Sequence, residues 1–208
     1  LASILKYKMF DTICHEHLEY YSSKVIIELV KKNELRVFDI KQNFINGSSK
    51  QYYICHKNSK IKSKNKVIKK TLINESKLKL NKVRTFKEFI QKINFLKTRL
   101  NNKIKYIKKN NQNIHCYGAS TKGNVLLQYF NIDNKKISFA AERNKNKYGL
   151  VTPGSKIQII SEENSRQMKP DYYLVLPWHF KKEILKREKN ILKKGTKFIF
   201  PLPKFEII

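Results

Sequence analysis

"IHCYGASTKGNVLLQYFNI", Ile114 to Ile132, decides how the second half of this chain folds. "IHCYGAS" reads as a strand that ends at Gly118, and "TKGNVLLQYFNI" as the short helix it feeds. A strand passing through one glycine straight into a helix is the opening of a βαβ unit. The stretches that follow keep the alternation. "ISFAAER" is a strand, followed by a turn at "TPGS", Thr152 to Ser155, and "SEENSRQM" begins a helix at Ser161. "DYYLVLPWHF" is a buried strand running into a loop, "KKEILKREKNILKKG" a helix closed by Gly195, and "KFIFPLP" a last strand. Strands alternating with helices predict a mainly parallel sheet over residues 113–208.

In a parallel sheet the loops after the strands share one edge, where ligands bind. Three loops are therefore candidates. "YGASTKGN" offers Gly118, Ser120, Thr121, Lys122 and Asn124, with free N–H groups at a helix start and a lysine for an anionic group. It matches neither G-x-G-x-x-G nor a P-loop, so an ordinary tight βα turn explains it equally well. Glu142 and Arg143 follow the next strand, where an acid can bind ribose hydroxyls and an arginine a phosphate. Trp178 and His179 lie in "LPWHF", either at the same edge or as core residues.

Toward the N-terminus, Phe86, Phe89, Ile90, Ile93, Leu100, Ile104 and Ile107 recur at helical spacing, predicting a connecting helix over about residues 85–109 with Thr85 and Glu88 as a capping box. Residues 58–82 are polar, charged and without clear periodicity, a basic linker. Residues 1–57 form an α/β piece: a helix capped by Ser22 or Ser23, then strands "LRVFDI" and "KQYYICHK" paired across the "NGSS" turn.

The 208 residues suffice for one large or two small domains, and 40% apolar with 12% aromatic content supports a real core. No apolar run approaches about 18 residues, which argues against a membrane span, and no signal segment opens the chain. Its first residue is Leu1 rather than Met. Cys14, Cys55 and Cys116 are too scattered for a disulfide framework or a zinc ribbon, so no metal is expected and a reducing, cytoplasmic setting is. The net charge of +29 suits a polyanion partner. Lysines are nevertheless dispersed and accompanied by abundant Asn and Ile, which favours compositional drift and argues against nucleic acid as a partner.

"DTICHEHLEYYS", Asp11 to Ser22, carries His15, Glu16 and His17 in a row. Helical neighbours differ by about 100°, so the three share a direction only off a helix. H-E-H is not the H-E-x-x-H zinc motif. An imidazole base with a carboxylate to orient it is one reading, and a polar structural patch the other.

Taken together, "FDTICHEHLEYYS", "INGSS", "YGASTKGNVLLQYF", "YGLVTPGSKIQIISEE", "PDYYLVLPWHFKKEILKRE" and "KFIFPLP" resemble the sugar C-methyltransferase family. Its members use S-adenosylmethionine to methylate a carbon of a nucleotide-linked keto-sugar. The resemblance implies an α/β fold: a Rossmann-like C-terminal domain over residues 113–208, a linker and long helix over 58–112, and the tail of a methyltransferase domain over 1–57. It implies a family zinc module and a Gly-rich donor loop that this sequence does not contain. S-adenosylmethionine is then a cofactor of the full-length enzyme and is not expected to bind this chain tightly alone. A separate chain could supply the missing modules. His17 would be the base that forms the enolate, Glu16 would orient or bind, and His15 is the second candidate base. Gly118, Ser120, Thr121, Lys122, Asn124, Glu142, Arg143, Trp178 and His179 of the three loops would hold the nucleotide-linked sugar. Two departures stand out: Cys14 where relatives carry Tyr, and "NGSS" where they tend to read Gly-Gly-Ser. A non-catalytic nucleotide-sugar-binding module and a basic nucleic-acid-binding protein are the rival readings.

Overall fold

The computed structural model describes residues 1–208. The chain forms two compact units, Leu1–Lys8 with Glu16–Ile90, and Met9–His15 with Gln91–Ile208.

The first unit contains α1 (Ala2–Tyr7), α2 (Ser23–Lys32), β1 (Leu35–Asn43), β2 (Ser49–His56) and α3 (Asn65–Ser76). The Ser22 hydroxyl caps α2 by accepting from Val25 N at 3.3 Å. β1 and β2 pair antiparallel, with a bulge between Val37 and Asp39. The left-handed turn residues between them are Asn46 (φ 53°) and Gly47 (φ 97°). Ser48 has φ 172°, which is extended backbone open to any residue, so serine causes no strain there. Val30, Val37 and Ile40 form the small core, joined by Ile26, Tyr52 and Ile68.

Where an aperiodic linker was expected, residues 65–76 form helix α3. The helix is held from outside itself. Ile68 reaches the core, and Glu75 is buried against the start of α2, accepting from Ser23 N and Ser23 Oγ at 2.7 Å each. Lys50 pairs with the same carboxylate. Two anchoring residues leave little periodic signal, which is why the helix escapes a pattern search. Upstream of it, Arg36 fixes the loop by donating to Ser59 O at 2.9 Å and Ser63 Oγ at 2.6 Å.

α4 (Val83–Lys109) begins in the first unit and runs into the second. It starts two residues before Thr85 and has no capping box. Thr85 Oγ1 donates to Leu78 O and Lys79 O, while Glu88 pairs with Arg84 at 2.8 Å. Its buried stripe is Ile93, Leu96, Leu100, Ile104 and Ile107.

The second unit continues with β3 (Ile114–Tyr117), α5 (Thr121–Tyr129), β4 (Phe139–Glu142), β5 (Gln158–Ser161), α6 (Glu162–Gln167), β6 (Tyr172–Val175), α7 (Lys181–Arg187), α8 (Lys189–Lys193), β7 (Lys197–Phe200) and β8 (Glu206–Ile207). The sheet order is β5-β4-β3-β6-β7-β8, parallel throughout except for β8. Counted from β3 this is the Rossmann order 3-2-1-4-5-6. The expected α/β, mainly parallel class is what the chain adopts. Two short strands, β5 and β8, escaped the sequence pattern. The single helix expected after "LPWHF" is split at Glu188, whose ψ of 18° takes it out of helical geometry. The segment Met9–His15 belongs to this unit. Phe10 stacks on Phe130 with centroids 5.0 Å apart and meets Tyr129 at 5.3 Å.

Candidate functional site

In the Rossmann order the connections leaving β3 and β6 run in opposite directions, which opens a crevice at the C-terminal ends of those strands. The loops after both strands meet there. Gly118 has φ +85°, and a Cβ on it would lie 2.9 Å from Pro177 Cδ. A Cβ on Gly123 would lie 2.9 Å from Leu176 Cβ. Glycine is required at both places because the β3–α5 turn packs directly on the residues that leave β6. Ser120 caps α5, accepting from Gly123 N at 3.2 Å.

Beside this contact lies a cleft of about 480 Å³, lined by Gly118, Ala119, Ser120, Glu142, Arg143, Pro177, Phe180 and Arg187 among others. Its size falls within the roughly 300–1,000 Å³ typical of small-molecule sites. Of the sequence-derived candidates, the structure gathers Gly118, Ser120, Glu142 and Arg143 around it. Thr121 is exposed at the first turn of α5, and Lys122, Asn124, Trp178 and His179 do not line the cleft.

Glu142 is bound mainly by main chain. Oε2 accepts from Ala119 N at 2.8 Å, and Oε1 accepts from Arg143 N at 2.8 Å and Asn144 N at 3.0 Å. Burial works against its charge, and these N–H groups together with Lys147 hold the carboxyl below its ordinary range. The acid thus clasps the β3–α5 turn, with Lys147 Nζ 3.9 Å from Oε2.

Along one wall of the cleft, where Tyr117, Glu162 and Arg187 line it, is an ionic network that the sequence did not suggest. The Tyr117 hydroxyl donates to Glu188 Oε1 at 2.7 Å, and Arg187 donates to that hydroxyl. Arg166 reaches Glu188 Oε1 at 2.7 Å and Glu162 Oε2 at 2.9 Å, while Arg187 reaches Glu162 Oε1 at 2.7 Å. Burial opposes the charge on Glu188, and the two guanidinium groups with the phenol still hold its pKa down. Burial pushes the Tyr117 phenol up, which keeps it a neutral donor. Glu188 is the residue that breaks the helix, and nothing in "REKN" marks it as buried.

A second polar group lies on the other side of the Pro177–Phe180 turn. Asp11 is 1% exposed, and its Oδ2 accepts from Trp178 Nε1 at 2.7 Å. Burial raises its carboxyl, against the pull of the indole N–H and of Lys122. His179 is lowered to about 4 by burial and by Lys122, so its imidazole is neutral at neutral pH. Asp11 Oδ1, Asn124 Oδ1 and His179 Nδ1 are buried without a protein hydrogen-bond partner. Asp11 was also missed from sequence. Its only signal was its place at the head of "DTICHEH".

His15, Glu16 and His17 are exposed at and just after a turn, and the division between the two units falls between His15 and Glu16. The His17 ring stands edge-on to Tyr20, with centroids 6.4 Å apart. No three His, Cys, Asp or Glu side chains are grouped to hold a metal ion.

The switch-point crevice does not suit S-adenosylmethionine. A donor site there needs bare main chain for the ligand to approach, and Pro177 and Leu176 occupy the space that Gly118 and Gly123 leave.

The C-methyltransferase C-terminal domain family matches residues 44–203. The C-methyltransferase NovU of Streptomyces niveus is 30% identical over 208 residues, which is all of this chain and 49% of NovU. The chain thus spans about half the length of that relative. No helix is long and apolar enough to cross a membrane.

Proposed function

The chain belongs to the C-methyltransferase family, and from that premise we propose that it holds a nucleotide-linked keto-sugar for carbon methylation. The cleft at the β3–β6 switch point is the observation that carries this reading. Arg143 would take the diphosphate, as guanidinium groups do through paired charged hydrogen bonds. Ser120, whose hydroxyl proton can be donated, and Glu142, a carboxylate that also lines the cleft, would meet the ribose. Thr121, exposed at the start of α5, would act at the margin of this site, Lys122, Asn124 and His179 would support the turn from its other side, and the large net positive charge would speed the arrival of an anionic ligand.

The chemistry assigned to the opening motif is proton transfer. A ketone acidifies the adjacent C–H. His17 would take that proton, leaving the electron pair delocalised onto the ketone oxygen as an enolate, the carbon nucleophile that C-methylation needs. Glu16 would orient the imidazole, and His15 is the second candidate. S-adenosylmethionine would be held by residues outside these 208, in keeping with the half of NovU to which this chain has no counterpart. A cytoplasmic location goes with this reading.

Titration calorimetry of the 208-residue chain with thymidine, uridine and guanosine diphosphates tests the assignment. At least one should bind, with Arg143→Ala weakening it by about tenfold, the loss of one charged contact. Absence of heat for all three at millimolar concentration would sink the reading. S-adenosylmethionine should give no micromolar binding.

A further inference from the structure

The Pro177–Phe180 turn has two sides. Pro177 and Phe180 line the cleft. Between them, Trp178 is buried at 5% exposure and gives its indole N–H to Asp11, 167 positions away in sequence. Asp11 sits in a short turn, Phe10–Thr12, pinned by Phe10 stacking on Phe130 and Tyr129. A carboxylate this deeply buried is costly unless it is paired and hydrogen-bonded. Here its one side-chain donor is the indole, supported by the main-chain N–H groups of Asp11 and Thr12 and the nearby charge of Lys122.

We propose that Asp11 is a positioning residue, which holds the Trp178 indole and thereby sets the Pro177–Phe180 wall of the cleft. The geometry needs an acceptor at the Asp11 position, since indole N–H is a donor only. Trp178 is then the anchor on the rear of the turn, and ligand contact falls to its neighbours. Asp11 also ties the turn to the chain that leads into His15. The consequence for ligand binding rests on the nucleotide-sugar reading, while the indole contact itself does not.

Trp178 is the only tryptophan in the protein, so intrinsic fluorescence reports this one contact. Asp11→Leu removes the acceptor, and Asp11→Asn keeps an oxygen in its place. In the 208-residue chain, Asp11→Leu should move the emission maximum and raise quenching by acrylamide, and Asp11→Asn should restore both toward wild type. With whichever nucleoside diphosphate binds wild type, Asp11→Leu should weaken affinity about tenfold and Asp11→Asn much less. Circular dichroism and thermal melting establish that each variant is folded. If Asp11→Leu does not fold, Asp11→Ser decides in its place, its shorter side chain withdrawing the acceptor from the indole. Wild-type emission and quenching in a folded acceptor-deficient variant would overturn the proposal, as would equal affinity for a diphosphate that wild type binds. If wild type binds no diphosphate, the functional reading fails, and the emission comparison alone decides for or against the Asp11 assignment.

Discussion

Tyr117 and Glu188, 71 positions apart, share a hydrogen bond of 2.7 Å at the wall of the cleft, and Arg166 and Arg187 close on the same carboxylate. The last residue of β3 is thereby tied to the break between α7 and α8. The two guanidinium groups are about a third exposed while the carboxylate is buried.

Glu188→Ala should destabilise the chain by about 2–4 kcal/mol. That is the range for breaking a buried ion pair, discounted because both arginines keep access to water. Tyr117→Phe should cost about 1 kcal/mol, since Glu188 keeps its charged partners. Urea midpoints at constant slope measure both. Equal losses would mean that the phenol, and not the ion pair, holds the network.

Stability should also fall as pH drops from 6.5 toward 4. Burial lowers His115 from 6.5 to about 4, so across that window the unfolded chain binds the proton and the native chain does not. The native state therefore loses ground on acidification, by at most about 3 kcal/mol from this residue. His179 acts in the same direction. His115→Asn, which can still meet Ser165 Oγ where His115 Nδ1 now lies at 2.8 Å, should flatten the profile. Thermal melts at pH 6.5 and 4.5 make the comparison, and identical slopes for both proteins would refute it.

Three glycines should separate two costs. Gly118→Ala meets both a left-handed φ of +85° and the Pro177 ring at 2.9 Å, and should cost about 2–4 kcal/mol. Gly123→Ala meets Leu176 at 2.9 Å without an unusual φ, and should cost about 1–3 kcal/mol. Gly149 has φ +80° with nothing within 4 Å, so Gly149→Ala should cost about 1–2 kcal/mol from backbone strain alone. A Gly118 variant no worse than Gly149 would show that the turn can move away from Pro177.

If His17 is the base proposed above, His17→Ala should lower turnover by about 10²–10⁴-fold in an assay of this chain together with a methyl-donor domain supplied by fusion or co-expression. Nucleotide affinity should change much less. His15→Ala should be milder and Cys14→Ser nearly silent. Small and equal effects at both histidines would make the motif a structural patch, and a larger loss at His15 would move the base there.

What was legible in the sequence was local. Of Ser22 and Ser23, the two candidate caps of α2, Ser22 serves, and the helix expected to begin at Ser161 does so with that residue as its cap. The strand–turn–helix at Gly118 and the antiparallel pair around Asn46 also follow from residues close together in the chain. So did the meeting of the loops after β3 and β6 at one edge, because parallel strands with right-handed crossovers leave that arrangement as the natural one. Residues 65–76 and strands β5 and β8 stayed hidden. Their stability comes from partners elsewhere, Ser23 for α3 and neighbouring strands for the other two, so their own sequences carry little pattern.

The sequence by itself determined the alternation of β3, α5, β4, α6, β6, α7 and β7, the glycine turn and the charged and aromatic residues of the loops, because propensity, periodicity and capping act within a few residues. Only the tertiary structure decided that Trp178 faces Asp11 instead of the cleft, that Glu142 spends its oxygens on main-chain N–H groups, and that Tyr117 meets Glu188. A buried polar group takes whichever partner the fold brings within hydrogen-bond distance, and at separations of 23, 71 and 167 residues no local rule can name that partner.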